Sequence, residues 1–189
     1  MREPFSGFLL SSGNQGEAEL GFTSMHDSRD IANYILDIAD KSGTPISNMA
    51  INKIIYFLNG WYLADFEREL CLDKFEAWEH GPVLPKVYQS FKSFGKNSIT
   101  VRAERFNPTT RLWYYQHYKF NDEEIRYINF VFKSYASMSA VSLSKMSHVE
   151  QGPWDLVRNP RNGEVFPKGI IPSRLIRDYF LRIRRVSDT

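Results

Sequence analysis

Ser47-Asn48-Met49-Ala50-Ile51-Asn52-Lys53-Ile54-Ile55-Tyr56-Phe57-Leu58-Asn59-Gly60-Trp61-Tyr62-Leu63-Ala64 is the stretch that decides the fold. Ile51, Ile54, Ile55, Leu58, Trp61 and Tyr62 recur at three- and four-residue steps, the spacing that stacks side chains on one face of an α-helix. Ser47 stands where its hydroxyl can accept from the first-turn backbone N–H groups, so the helix is expected to start there. A buried stripe this apolar needs other elements to pack against, and the flanking sequence supplies them. Upstream, Ile31, Tyr34, Ile35, Ile38 and Ala39 repeat the same period from Asp27 to the stop signal Lys41-Ser42-Gly43. Downstream, Asn121 and Glu124 have the form of a capping box, with Asn where Ser or Thr is usual, and Ile125, Ile128, Val131, Phe132 and Tyr135 carry a helix onward. A shorter helix is expected from about Ser142 to Val149. Pro153 opens a single turn through Trp154 and Val157, ended by Asn159-Pro160. The last helix follows Pro172-Ser173, with Leu175 or Ile176, Tyr179, Phe180 and Ile183 inward.

Two intervals lose the helical period. Leu70-Cys71-Leu72 and Phe75-Glu76-Ala77-Trp78 are short apolar pieces that run into Gly81-Pro82, which predicts one or two short strands closed by a turn at that dipeptide. Pro85 then suits a first helical position, with Val87, Phe91 and Phe94 on one face and Gly95 closing the element. Between Ile99 and Phe120 the β-formers Val101, Leu112, Trp113, Tyr114, Tyr115 and Tyr118 are broken by Asn107-Pro108, the pattern of a two-stranded ribbon. The fold class expected is therefore mainly α with a minor β component (α+β), a compact helical domain carrying short strands or a β-ribbon. No internal repeat and no low-complexity segment interrupts it.

The 189 residues fit one domain better than two. Residues 1–24 place Phe5, Phe8, Leu9, Leu10 and Phe22 among Ser, Gly, Asn and Gln without periodicity, and are expected to be a poorly ordered leader before a single domain over residues 25–189. Glu3 and Pro4 stand where a secretory signal needs positive charge and a helical approach. The longest apolar run is far below the roughly 20 residues of a membrane helix, so no membrane partner is expected. With Cys71 the lone cysteine, neither an intramolecular disulfide nor a multi-cysteine zinc site can form, which suits a reducing, cytoplasmic location. A net charge of +2 does not mark a nucleic-acid binder, although Arg174, Arg177, Arg182, Arg184 and Arg185 gather at the C-terminus.

Three segments carry a resemblance. They are Asn48 to Phe57 with Gly60-Trp61-Tyr62-Leu63-Ala64, then Phe75-Glu76-Ala77-Trp78-Glu79-His80-Gly81-Pro82-Val83, then His148-Val149-Glu150-Gln151-Gly152-Pro153-Trp154. In their order and spacing they resemble the Panacea domain family of SocA-like, or phage-associated GepA-like, proteins, over roughly residues 29–180. The family more often has Leu at the positions of Ile51 and Ile54 and Gln at that of Asn52, swaps that keep the buried stripe. The resemblance implies a mostly helical antitoxin domain that neutralises a protein toxin encoded beside it, with no catalytic residues; it does not imply which toxin.

His80, Gly81, Pro82, His148 and Trp154, from the two motif loops, are accordingly the expected partner-binding residues. A surface that holds a toxin inactive by stoichiometric occlusion needs a desolvated aromatic centre with a polar rim. Core packing explains Trp61 more simply than an interface role does, and Trp154 is open to either. Two other functions stay open: a phage- or plasmid-associated DNA-binding regulator using the terminal arginines, and a metal-dependent hydrolase. His80, His148, Glu76, Glu79 and Glu150 are chemically able acids, bases or ligands. His148-Val149-Glu150 matches the first fragment of a zinc deaminase signature, but its second fragment needs Pro-Cys-x-x-Cys, which one cysteine cannot supply. No phosphate-binding Gly-rich loop, nucleophile elbow or His-Glu-x-x-His occurs. The expectation is a non-enzymatic binding protein with no cofactor and no assigned homo-oligomeric state.

Overall fold

The computed structural model describes residues 25–161 and 163–187; the expected leader lies outside them. In chain order the helices are α1 (Ser28–Ser42), α2 (Asn48–Phe66), α3 (Pro85–Phe91), α4 (Asp122–Tyr135), α5 (Ala140–Ser147), α6 (Pro153–Arg158) and α7 (Ser173–Ser187). Two antiparallel pairs interrupt them, β1 (Glu76–Trp78) with β2 (Gly81–Val83), and β3 (Arg105–Asn107) with β4 (Leu112–Tyr114). The molecule is mainly α with a minor β component, as the periodicity predicts.

Helix α2 is the axis of the structure. Ser47 Oγ caps it by accepting from Ala50 N at 3.3 Å, and α1, α3, α4, α5, α7 and β2 surround it. The expectation of one buried face is too narrow: Asn48 and every residue from Ala50 to Ala64 are buried. A helix enclosed on all sides has no wet face, so its polar side chains must find partners inside. Asn52 donates to Asn48 O and accepts from Leu84 N at 2.9 Å; Asn59 Oδ1 accepts from Leu70 N and Cys71 N. Trp61 is a core residue, as expected, its indole N–H donating to Tyr135 Oη at 2.8 Å. Gly60 is small because α7 comes close: a Cβ there would lie 2.5 Å from Phe180 Cδ2 and Cζ, and nearer still to Cε2.

The ends of α1 and α4 follow their sequence signals. Gly43 closes α1 with φ of 66°, its N–H donating to Asp40 O. The capping box on α4 is complete in both directions, Glu124 N to Asn121 Oδ1 at 2.9 Å and Asn121 N to Glu124 Oε2 at 3.0 Å. Helix α5 starts earlier than expected because Ser139, not a later serine, caps it, and Val149 falls outside it and is exposed. In α7, Ile176 and Phe180 face the core.

The strands differ more. Gly81-Pro82 is not the turn but the start of β2; the turn is Glu79-His80, with Trp78 opposite Gly81 and Ala77 opposite Pro82. Leu70-Cys71-Leu72 forms no strand, only a parallel bridge between Cys71 and His26. Of the expected ribbon, Val101 lies outside and exposed, and Tyr118 leaves the ribbon to pack on Tyr34 and Phe120. The short β3–β4 pair projects Phe106, Leu112 and Trp113 outward, with Leu112 and Trp113 each 65% exposed.

Candidate functional site

The two motif loops, distant in sequence, meet over one end of α2. The β1–β2 turn brings Glu79 and His80 against the C-terminus of α5. Ser144 Oγ donates to His80 O at 3.0 Å, and His148 Nε2 faces Glu79 O at 3.2 Å while its Nδ1 faces Ser144 O at 2.6 Å. The His148 ring leans on Trp154 with centroids 3.9 Å apart, and the Trp154 indole N–H donates to Trp78 O at 2.7 Å. Trp154 thus clamps α6 to β1 and backs the histidine.

Each sequence-predicted residue has a distinct place there. His80 is exposed at the turn, His148 and Trp154 are half-buried, and Gly81 and Pro82 are buried beneath them. Gly81 has φ of 99°, a conformation side chains avoid, and a Cβ there would meet Ser147 Oγ at 2.5 Å and Lys53 Cε at 2.8 Å. Pro82 has no N–H for the strand ladder, and its carbonyl accepts from Lys53 Nζ at 2.8 Å. Gly152 caps α6, where a Cβ would press on Val149 O at 2.8 Å, and Pro153 fills the first helical position.

Lys53 is the residue that sequence reading missed. It is 1% exposed, at the point where α2, the hairpin and α5 converge. Burial pushes its ammonium down to about 7. The signal was present: Lys53 is the sole charge between Ile51 and Ala64, and neither Met49, Ala50, Tyr56 nor Phe57, its neighbours one turn away, is an acid. Beside it opens a cleft of about 370 Å³, bounded by α2, the hairpin and α3, whose lining includes Met49, Trp78, His80 and Tyr88. Trp78 and Tyr88 meet edge to face there, centroids 4.9 Å apart.

Elsewhere, two of the terminal arginines are paired with acids. The Arg184 guanidinium pairs with Asp65 at 2.6 Å and Arg177 with Asp178, while Arg182 lies over the Tyr179 ring. Asp27 is held far below the usual carboxylate range: burial opposes this, but Arg29 hydrogen bonds and the charges of Arg29 and Lys86 prevail. Among the described residues no three His, Cys, Asp or Glu side chains come together as a metal site, and no helix is long and apolar enough to cross a membrane.

Comparison with known proteins places this arrangement. The family model described as "Antitoxin SocA-like, Panacea domain" matches residues 51–155, a span that holds Lys53, both strands of the hairpin, His148 and Trp154. The chain is 35% identical over 161 residues to Antitoxin SocA of Caulobacter vibrioides (strain NA1000 / CB15N), covering 85% of each chain. No solved structure matches it. The chain belongs to the SocA-like Panacea antitoxin family.

Proposed function

We propose that this protein is the antitoxin of a toxin–antitoxin pair and neutralises its cognate protein toxin by direct, stoichiometric binding, without turnover. The contact is centred where the motif loops meet: His80 and the open edges of His148 and Trp154 face the partner, and Gly81 and Pro82 hold the hairpin in the shape that presents them. The observation that carries this reading is that convergence. Two segments separated by more than sixty residues build one half-exposed aromatic face beside an open cleft, and interfaces draw most of their energy from such aromatic anchors within a polar rim. Arg177 and Arg184 on α7 are already paired with acids and so give little counterion release on nucleic acid, which supports protein binding over phosphate binding.

Co-expression tests it. The chain, produced with the toxic product of the adjoining reading frame, should restore growth and elute with it in a fixed ratio. Restored growth with the two proteins eluting apart contradicts occlusion by binding and favours repression of the toxin gene or an enzymatic remedy.

A further inference from the structure

We propose that the cleft between α2, the β1–β2 hairpin and α3 is the partner's anchoring pocket, and that it takes an acidic side chain whose carboxylate sits on the Lys53 ammonium. This rests on the antitoxin reading above and names the chemistry by which the toxin is held.

An ammonium group has three donors, and among the described residues the contacts of Lys53 Nζ come to one, the Pro82 carbonyl at 2.8 Å. No carboxylate among them lies within ion-pair distance, although nearly every other buried or half-buried cation here has one, as Arg105 has Asp30 and Arg102 has Asp37. Buried charges are ordinarily paired, so an unpaired one at the wall of a cleft marks a place where the counter-charge comes from outside. The buried amides of the lining are spent internally: Asn48 Nδ2 donates to Tyr88 O at 3.1 Å, and both ends of Asn52 are engaged. The pocket therefore offers one buried charge among the apolar surfaces of Met49, Trp78 and Tyr88, which suits a side-chain carboxylate with its methylenes. A chain terminus would instead be recognised by a nest of free backbone N–H groups. Glu79 and Lys92, both exposed and opposite in sign, also line the cleft.

A bound carboxylate favours the charged amine, so binding is linked to proton uptake by Lys53. The titratable groups facing this region are Glu79 and His80 from the turn, Tyr88 and Lys92 from α3 and the turn after it, and His148 from the end of α5.

The test has two arms. In the first, the free protein is titrated with N-acetyl-glutamate amide or its glutamine counterpart while the Lys53 Cε resonance is followed across pH. The glutamate compound should bind at millimolar concentration and raise the Lys53 midpoint by at least about one pH unit, a tenfold preference for the charged amine; the glutamine compound should do neither. Equal behaviour of the two, or no binding, overturns the proposal. In the second, Lys53→Met, checked for a cooperative melt no lower than that of wild type, is co-expressed with the toxin. It should lose at least about tenfold in affinity, and one Asp→Asn or Glu→Gln change in the toxin should reproduce that loss without adding to it. A folded Lys53→Met that retains the toxin fully overturns the carboxylate anchor while leaving the antitoxin reading intact, as does a loss reproduced only by removing the toxin's C-terminal carboxylate. Wild-type protein that retains no toxin defeats the antitoxin reading itself, and the proposal with it.

Discussion

Replacing Trp154 by Phe keeps an aromatic face against His148 and removes one donor, the indole N–H that reaches Trp78 O at 2.7 Å. A hydrogen bond of this kind contributes about 1 kcal/mol net, rising toward about 3 kcal/mol if the abandoned carbonyl stays dry. Trp154→Ala also removes the ring pair with His148, worth about 0.5–1.5 kcal/mol. Because the indole is half-buried, the total should fall near about 3 kcal/mol, the foot of the range for buried aromatics. In a domain of this size about 1 kcal/mol moves the melting temperature by roughly 2–4 °C. Thermal unfolding should therefore show Phe about 3 °C and Ala about 9 °C below wild type. The Phe variant should keep its partner. If all three proteins melt together, Trp154 is not the clamp between α6 and β1, and the account of how the motif loops are joined is wrong. A Phe variant that melts with wild type but loses the partner puts the indole N–H in the interface instead.

Gly60→Ala should destabilise by about 1–3 kcal/mol in denaturant melts, despite the better helix propensity of Ala, because its Cβ overlaps a Phe180 ring packed against Tyr56 and Trp61; Phe180→Leu should recover part of the loss, and a more stable Gly60→Ala contradicts the α2–α7 contact. Gly81→Ala, at φ of 99° against Ser147 and Lys53, should lower the melting temperature further than Gly43→Ala, which meets nothing within 4 Å. Lys53 sets a pH signature. Its amine falls from 10.5 to about 7 on folding, so the unfolded chain holds the proton more tightly; the cost to stability is complete below pH 7 and fades as pH rises toward 10.5. The stability advantage of Lys53→Met over wild type, reduced by the donor that Pro82 O loses, should be largest at pH 6 and shrink steadily by pH 9; an advantage independent of pH contradicts a depressed amine.

Helices α1, α2 and α4 were legible because each had two agreeing signals, a 3.6-residue apolar period and a cap, as at Asn121 with Glu124 or Ser47 with Ala50. What was not legible came from enclosure. Periodicity assigns faces by contrast between apolar and polar positions, and in α2 the buried Asn52, Lys53 and Asn59 read as a wet face until the surrounding helices are in place. Gly81-Pro82 misled for a local reason: Gly is needed for φ of 99° just after the turn, not within it. The meeting of the hairpin with His148 and Trp154, through Glu79 O and Trp78 O, is a tertiary contact with no counterpart in spacing, whereas Lys53 carried a readable sign, a charge set in an apolar run without an acid one turn away.

The most direct test of the central claim is hydrogen–deuterium exchange of the purified antitoxin–toxin complex against the free antitoxin. Binding at the motif face predicts new protection in residues 76–83 and 148–154, with the exposed ribbon at residues 105–114 exchanging as before. Protection confined to that ribbon or to α7, with the hairpin unchanged, contradicts the claim and moves the toxin to another face.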